Sequence, residues 1–357
     1  MHHFHPLTIS KLIKETDDCV SLEFDIPDAN KSLFEHKQGQ HVTLRKIINE
    51  EDVRRSYSIC TSPKENKLKV AIKKIANGAF STYANEVLTA GDVLEVMPPS
   101  GSFNTELNPT QAKNYVGFAG GSGITPIISI MKAVMDTESQ STFTLVYANR
   151  STDSMVFKEE IEGLKNKYIN RLNIIHIFSQ EHIGIPLFEG RIDQKKVHAL
   201  NKNVVDLKSA DEIFICGPEA MMLAIQSALI DLDIDKSKIH MELFTSPVGK
   251  LGKSEHSIKE TYEEVKAKIT IQIDGVKMDF DYSSNDSILD AAAKKGADLP
   301  YACKGGVCCT CKAKVIEGKV DMAINYALEQ DEIERGYILS CQARPKTDRI
   351  ILSFDEN

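Results

Sequence analysis

The sequence predicts a multidomain chain in which an antiparallel β-barrel, a doubly wound α/β domain and a smaller α+β domain follow one another. Three observations carry this. Short stretches of alternating apolar and polar residues separated by turn residues run from 7 to about 103, which is the pattern of a small barrel. From 114 the pattern changes to apolar strands alternating with amphipathic helices, as in a parallel sheet covered on both faces. A loop dense in cysteine, Tyr301-Ala302-Cys303-Lys304-Gly305-Gly306-Val307-Cys308-Cys309-Thr310-Cys311, follows a predicted hairpin and helix near the C-terminus.

In the first part, strands are expected at 20–24, 41–44, 55–59, 68–72 and 93–96, with one short helix through 82–88. Gly39 and Gly91-Asp92 punctuate the chain directly before strands. In the second part the strands are expected at 115–119, 142–147, 172–178, 212–216 and 239–243, and the helices at about 126–136, 155–167, 193–200 and 218–231. Thr125-Pro126 suits a helix start: a hydroxyl to cap, then a residue whose missing N–H costs nothing there. Residues 246–265 lose the apolar rhythm and read as a flexible tether. Beyond them a hairpin is expected over 269–273 and 276–282 about the turn Asp274-Gly275, then a helix over 286–295 closed by Gly296. The expected division is 1–105, 106–245, a linker over 246–265, and 266–357.

The chain has 357 residues, 42% of them hydrophobic, enough for several cores. A formal charge of −8 and the lack of any Lys/Arg cluster argue against a nucleic-acid binder. The start, Met1-His2-His3-Phe4-His5-Pro6, is neither basic nor apolar, and no apolar run reaches eighteen residues, so a cytoplasmic protein with no membrane contact is expected. The three histidines there read as an incidental metal binder or as an ordinary frayed end. Cys19, Cys60, Cys216 and Cys309 are scattered without a disulfide framework.

Cys303, Cys308 and Cys311 form C-x4-C-x2-C, completed by Cys341 thirty residues on; this is the plant-type spacing for a 2Fe–2S cluster. Four thiolates must converge on two irons, and a short loop supplies three only if it curls, which Gly305 and Gly306 permit. Structural zinc sites more often pair their ligands in two short units, and a zinc-stapled module without redox work is the alternative of another class. Cys309 is surplus and reads as packing.

Arg55-Ser56-Tyr57-Ser58, at the end of a predicted strand, offers a guanidinium for phosphate, a flat ring for stacking and hydroxyls for the edge of a heterocycle, a set that suits a flavin. Tyr in a strand is also ordinary packing. Gly78-Ala79-Phe80-Ser81-Thr82 is a glycine turn into a helix start, suited to a pyrophosphate. Gly120-Gly121-Ser122-Gly123-Ile124-Thr125 lies between strand and helix, where a phosphate turn belongs, although it is not G-x-G-x-x-G. Cys216-Gly217-Pro218 puts a second glycine at a strand end beside the first. Its cysteine would line the cleft or be a small buried thiol.

Together these pieces resemble the ferredoxin–NADP reductase superfamily in the version that carries a plant-type ferredoxin domain at its C-terminus, and the resemblance covers nearly the whole chain. It implies a β-grasp fold for the last domain and FAD, a 2Fe–2S cluster and NADPH as cofactors, with NADH also open. It implies that Arg55 meets the flavin phosphate, that Tyr57 stacks on the isoalloxazine, that Ser58 approaches N5 and that Gly78, Ser81 and Thr82 form the pyrophosphate turn. Gly120, Gly121, Gly123 and Thr125 would form the nicotinamide-nucleotide turn, Cys216, Gly217 and Pro218 the segment beside the nicotinamide, and Phe244 a shield over the flavin or a core residue. Tyr57, Ser58 and Cys216 are thus the expected catalytic set. Asn149, Arg150, Ser151 and Gln180 are the candidates near a 2′-phosphate, with Arg150 the expected binder. The implied activity is electron supply to the oxygenase component of a multicomponent monooxygenase, a di-iron enzyme that epoxidises an aromatic ring carried on coenzyme A. A ring-hydroxylating or steroid hydroxylase partner is the alternative. The acidic run Glu329–Glu334 reads as a solvated helix face or as a surface that steers a basic partner.

Overall fold

The computed structural model describes residues 3–244 and 266–356, so the expected tether lies outside the described residues. Of the described residues, His3–Leu243 form one compact unit and those from Phe244 onward another.

In the first unit, strands β1 (His5–Thr16), β2 (Cys19–Asp25), β3 (His41–Ile48), β4 (Glu51–Ser58), β5 (Leu68–Lys73) and β6 (Val93–Val96) join in the order β4-β3-β6-β1-β2-β5. A bridge between Ile59 and Val70, and the bond from the Cys60 amide to the Lys69 carbonyl at 2.9 Å, close the last strand onto the first. The expected barrel forms because Leu7, Ile9, Leu22, Leu44, Val70 and Ile72 all turn inward, each with 0% exposure. Helix α1 (Ala79–Glu86) plugs it with Phe80 and Ala84, three residues ahead of the expected start. Strand β1 lies outside the expected set: Pro6 sits within it, and a register shift between Ile9 and Lys11 breaks the alternation that would have announced it. In β1, His5 packs edge-on against Phe34, with ring centroids 5.8 Å apart.

The same unit continues through β7 (Asn114–Gly120), α2 (Ile124–Thr137), β8 (Thr142–Asn149), α3 (Lys158–Lys167), β9 (Leu172–Phe178), α4 (Gln194–Asn203), β10 (Glu212–Cys216), α5 (Glu219–Asp231) and β11 (Ile239–Glu242). The five strands are all parallel, in the order β11-β10-β7-β8-β9. The order reverses direction between β7 and β10, and that switch opens a crevice at their carboxyl ends. Helix α3 starts three residues later than expected. Phe157 is left-handed (φ 60°), and the Tyr147 hydroxyl accepts from the Val156 amide at 3.1 Å, so residues 155–157 belong to a buried turn.

Helix α2, buried along most of its length, joins barrel to sheet. The Ser129 hydroxyl accepts from the Gly39 amide and donates to the Thr61 carbonyl at 2.6 Å. Lys132, 5% exposed, donates to the Cys60 carbonyl at 3.1 Å and pairs with Glu65 and Glu160. A buried ammonium is tolerable only when so satisfied, and breaking such a set is costly.

The second unit contains β12 (Ala267–Ile273), β13 (Val276–Tyr282), α6 (Ile288–Lys294), β14 (Lys312–Glu317), β15 (Val320–Met322), α7 (Gln330–Glu334), β16 (Tyr337–Leu339), β17 (Ala343–Pro345) and β18 (Arg349–Ser353). A five-stranded sheet runs β13-β12-β18-β14-β16, with β12 and β18 parallel, and β15 pairs separately with β17. The hairpin turns on Asp274 and Gly275, both at positive φ as a tight two-residue turn requires. Helix α6 is capped by the Ser287 hydroxyl, which accepts from the Asp290 amide at 3.1 Å, and lays Ile288, Leu289 and Ala292 on the sheet.

Candidate functional site

The two glycine turns meet at the crevice, in contact. A Cβ on Gly123 would stand 2.2 Å from the Cys216 carbonyl oxygen, and one on Gly120 2.6 Å from Pro218 Cδ. A Cβ on Gly217 would stand 2.7 Å from Met221 Cε and 3.0 Å from the Gly120 backbone. Backbone lies where a Gly123 side chain would go, and the Pro218 ring and Met221 side chain crowd Gly120. Gly121 differs: its φ is +54° and no heavy atom lies within 4 Å of its would-be Cβ, which leaves open space at the turn before α2. The Ile124 amide at the start of α2 already bonds back to the Gly121 and Ser122 carbonyls, so the amides without a partner inside the helical turn are those of Gly121, Ser122 and Gly123, and an anion is favoured there. Thr125 does not cap the helix as expected. It lies in the first turn, 2% exposed, and its hydroxyl donates to the Ser122 carbonyl at 3.1 Å; the residue before the helix is Gly123.

Cys216 is fully buried at the end of β10, and burial together with the nearby Glu242 carboxylate pushes its thiol well up. Glu242, at the end of the neighbouring β11, is a site residue that the sequence does not announce. The Ser58 hydroxyl at the end of β4 donates to Glu242 Oε2 at 3.0 Å, a bond that joins the barrel's last motif residue to the parallel sheet. Burial raises the Glu242 carboxyl from its ordinary 4.5 to about 8, and the Ser58 bond opposes this only in part. A carboxyl so raised beside a thiol and a hydroxyl, in a crevice, makes this a candidate site. It is the observed strand pairing that aligns Cys216 with Glu242.

The other expected flavin residues lie on β4 and around α1. Arg55 is exposed, and one guanidinium nitrogen donates to its neighbour's carbonyl at 2.8 Å. Ser56 and Thr43 hydroxyls meet across the β3–β4 pair at 3.2 Å. Tyr57 lies 5.7 Å from Phe80, ring to ring, and burial pushes its phenol up. An exposed guanidinium beside a supported aromatic ring fits a flavin phosphate and ring. Ser81 is 5% exposed, accepts from the Ile75 amide at 3.2 Å and donates to the Gly78 carbonyl at 3.3 Å, so its hydroxyl shapes the turn. The Thr82 amide closes the first α1 bond onto the Gly78 carbonyl at 2.9 Å. What the turn presents to a phosphate is therefore backbone. Phe244 is 39% exposed, which removes the core reading.

In the second unit the thiols come as two pairs. Cys303 and Cys308 sulfurs are 3.1 Å apart, and the Cys311 thiol donates a hydrogen bond to Cys341. A hydrogen bond from Cys308, followed by those from the Gly305, Val307 and Cys308 amides, draws the Cys303 thiol down to about 6. Cys341 is likewise lowered, by Cys311 first and by the Gln342 side chain and the Gly306 amide. Cys308 and Cys311, the donors in the two pairs, are pushed well up by those same bonds and by burial, so each pair holds one lowered and one raised thiol. Four converging sulfurs with amides aimed at two of them suit a two-iron cluster. Gly306 has φ +74° with the Ile324 carbonyl 2.9 Å from its would-be Cβ; Lys304, not Gly305, supplies the other left-handed residue. Cys309 turns away and donates to the Ala327 carbonyl at 3.2 Å. All eight cysteines are free thiols.

The family models agree with this division of chemistry: an oxidoreductase FAD-binding domain over residues 6–105, an oxidoreductase NAD-binding domain over 118–227 and a 2Fe-2S iron-sulfur cluster binding domain over 271–346. The chain is 42% identical to a component of the 1,2-phenylacetyl-CoA epoxidase of Escherichia coli (strain K12), with 99% of each chain covered. It belongs to the ferredoxin–NADP reductase-like family. The member of this family from Rhodococcus rhodochrous, the 3-ketosteroid-9-alpha-monooxygenase ferredoxin reductase component, is 33% identical over 98% of this chain and 96% of its own. Phthalate dioxygenase reductase shares the fold over 98% of both chains, with a TM-score of 0.57 at 23% identity. This reductase-family chain is an oxidoreductase with FAD-, NAD- and 2Fe–2S-binding domains. Among the described residues no helix is long and apolar enough to cross a membrane.

Proposed function

We propose that this chain is the reductase component that carries electrons from NADPH through FAD and a 2Fe–2S cluster to a di-iron oxygenase, the ring 1,2-epoxidase of phenylacetyl-CoA, in the cytoplasm. The observation that carries the electron path is the convergence of Ser58, Cys216 and Glu242 where the two glycine turns meet. The choice of partner is supported by the full-length identity to the epoxidase component of Escherichia coli.

Bound flavin supplies hydride acceptance and the conversion of a two-electron donor to single electrons, and the cluster passes these on one at a time. The chain's residues do the positioning. Arg55 neutralises the flavin phosphate, the α1 turn at Gly78 offers amides to the pyrophosphate, with Ser81 and Thr82 holding that turn in shape, and Tyr57, braced on Phe80, presents its face to the ring. Ser56 orients the strand through its contact with Thr43. Gly120, Gly121, Gly123 and Thr125 form the coenzyme's phosphate turn, with Gly217 and Pro218 closing against it, so that the nicotinamide is held beside Cys216. Productive transfer needs the reacting atoms within about 3–3.5 Å, and the contact between the two turns fixes that approach. Glu242 keeps a proton one hydrogen bond behind the Ser58 hydroxyl and leaves no buried charge beside the nicotinamide. Cys303, Cys308, Cys311 and Cys341 would hold the cluster.

The test is reconstitution. Holoenzyme, NADPH, a di-iron oxygenase component and phenylacetyl-CoA are expected to give ring epoxide, whereas a Rieske ring hydroxylase or a steroid hydroxylase component is expected to turn over slowly. Faster turnover with either of the latter would move the partner assignment. An anaerobic protein with zinc and no visible absorption would end the redox reading altogether.

A further inference from the structure

The edge of the sheet that carries the glycine turns continues from β7 to the end of β8, where the chain reads Asn149-Arg150-Ser151. In parallel sheets of this order a dinucleotide lies along that edge, and residues at the end of the second strand meet the ribose that either carries a 2′-phosphate or does not. Arg150 stands there with its side chain 56% exposed, and it is held from outside the sheet. Its Nη2 donates to Oδ2 of Asp18 at 2.9 Å, and Asp18 belongs to the turn between barrel strands β1 and β2. The backbone under Arg150 is pinned: the Gln180 amide donates to the Arg150 carbonyl at 2.8 Å, and Glu181 accepts from the amide and hydroxyl of Thr152. Only the guanidinium is left to swing. Asp18, for its part, does not depend on Arg150, since Thr16 donates to its Oδ1 at 2.9 Å and Lys73 lies 3.4 Å from the same oxygen.

We infer that Asp18 sets the coenzyme preference by holding Arg150: a 2′-phosphate has to displace the Asp18 carboxylate from the guanidinium, whereas a coenzyme with a free 2′-hydroxyl leaves the pair intact. This rests on the reading of Arg150 as the 2′-phosphate residue. Displacement strands neither group, because the phosphate replaces the carboxylate on Arg150 and Lys73 with Thr16 remain on Asp18. The pair therefore takes a small, fixed toll on NADPH and none on NADH. It also makes NADPH binding the event that loosens one link between barrel and sheet.

The experiment measures KM for NADPH and for NADH with the flavin-loaded full-length chain reducing ferricyanide, in the wild type, D18N, R150A and the double variant. An exposed ion pair of this kind corresponds to about a two- to five-fold effect. D18N is expected to lower the NADPH KM by that factor and leave the NADH KM in place, and the double variant is expected to match R150A. Equal changes for both coenzymes, no change for either, or a D18N effect that persists when Arg150 is absent would overturn the inference. The underlying reading fails separately if R150A leaves the NADPH KM where it was. Flavin absorbance per chain confirms that each variant is folded.

Discussion

The cleft at the glycine turns and the cysteine loop each bring reactive side chains together, and they do so in opposite ways. In the loop, three of four thiols come from nine consecutive residues, and the paired sulfurs are brought together by local backbone turns at Lys304 and Gly306. In the cleft, Ser58, Gly123, Cys216 and Glu242 come from four separate elements and meet only because the barrel, β7, β10 and β11 pack as one unit. A local device keeps its chemistry if the rest of the molecule shifts. A convergent one is sensitive to any contact that fixes the approach of its parts.

That difference predicts how each fails, and the largest effect is expected in the loop. C341S removes one thiolate of the Cys311 pair; delivery of electrons to cytochrome c or to an oxygenase should fall to background while NADPH still bleaches the flavin at the wild-type rate. Stopped-flow absorbance reads both, and parallel loss of flavin reduction would break the separation of the two devices.

Next comes G123A, in which the new Cβ is driven against the Cys216 carbonyl at 2.2 Å. Because backbone cannot move aside as a side chain can, a loss of about 1–3 kcal/mol of stability is expected. The KM for NADPH should rise at least ten-fold with the cluster spectrum unchanged. Thermal unfolding and steady-state kinetics check this; a wild-type KM would mean that the two turns do not define the coenzyme site.

E242Q should act through pH. The folded carboxyl titrates at about 8 against its ordinary 4.5, so between those values the folded state holds a proton that the unfolded state has lost. Its contribution to stability therefore falls as pH rises through that window and is lowest above it. The neutral amide removes the titration, so the melting temperature of E242Q should gain on the wild type as pH goes from 5 to 9. A constant difference would mean that Glu242 is ionised throughout. The smallest effect is expected at G163A, on α3, where nothing lies within 4 Å of the new methyl: folding stability should rise by about 0.5–1 kcal/mol with no kinetic change.

The same contrast explains what the sequence disclosed. The cysteine spacing, the Asp274-Gly275 hairpin and the alternation of strands with helices are local patterns, and each appears in the fold close to where the pattern puts it. Strand β1 is hidden because a bulge interrupts its period. The start of α3 departs from its pattern because the buried Tyr147 hydroxyl, on the preceding strand, holds residues 155–157 in a turn. Thr125 has the place of a cap, directly before a proline, yet the preceding glycine turn already begins the helix. Glu242 carries no signal at all, since a Glu at the end of a short strand is ordinary until Ser58 and Cys216 are known to face it. Asp18 is legible only once the barrel turn is seen against β8.

The measurement that bears most directly on the account is an anaerobic NADPH titration of the holoenzyme, followed at the flavin and cluster bands, with C341S alongside. If electrons enter at the Ser58–Glu242 cleft and leave by the thiol pairs, NADPH bleaches both bands in the wild type and the flavin band alone in the variant. Bleaching of the cluster band in a wild type stripped of flavin, or no bleaching of the flavin in either protein, would contradict it.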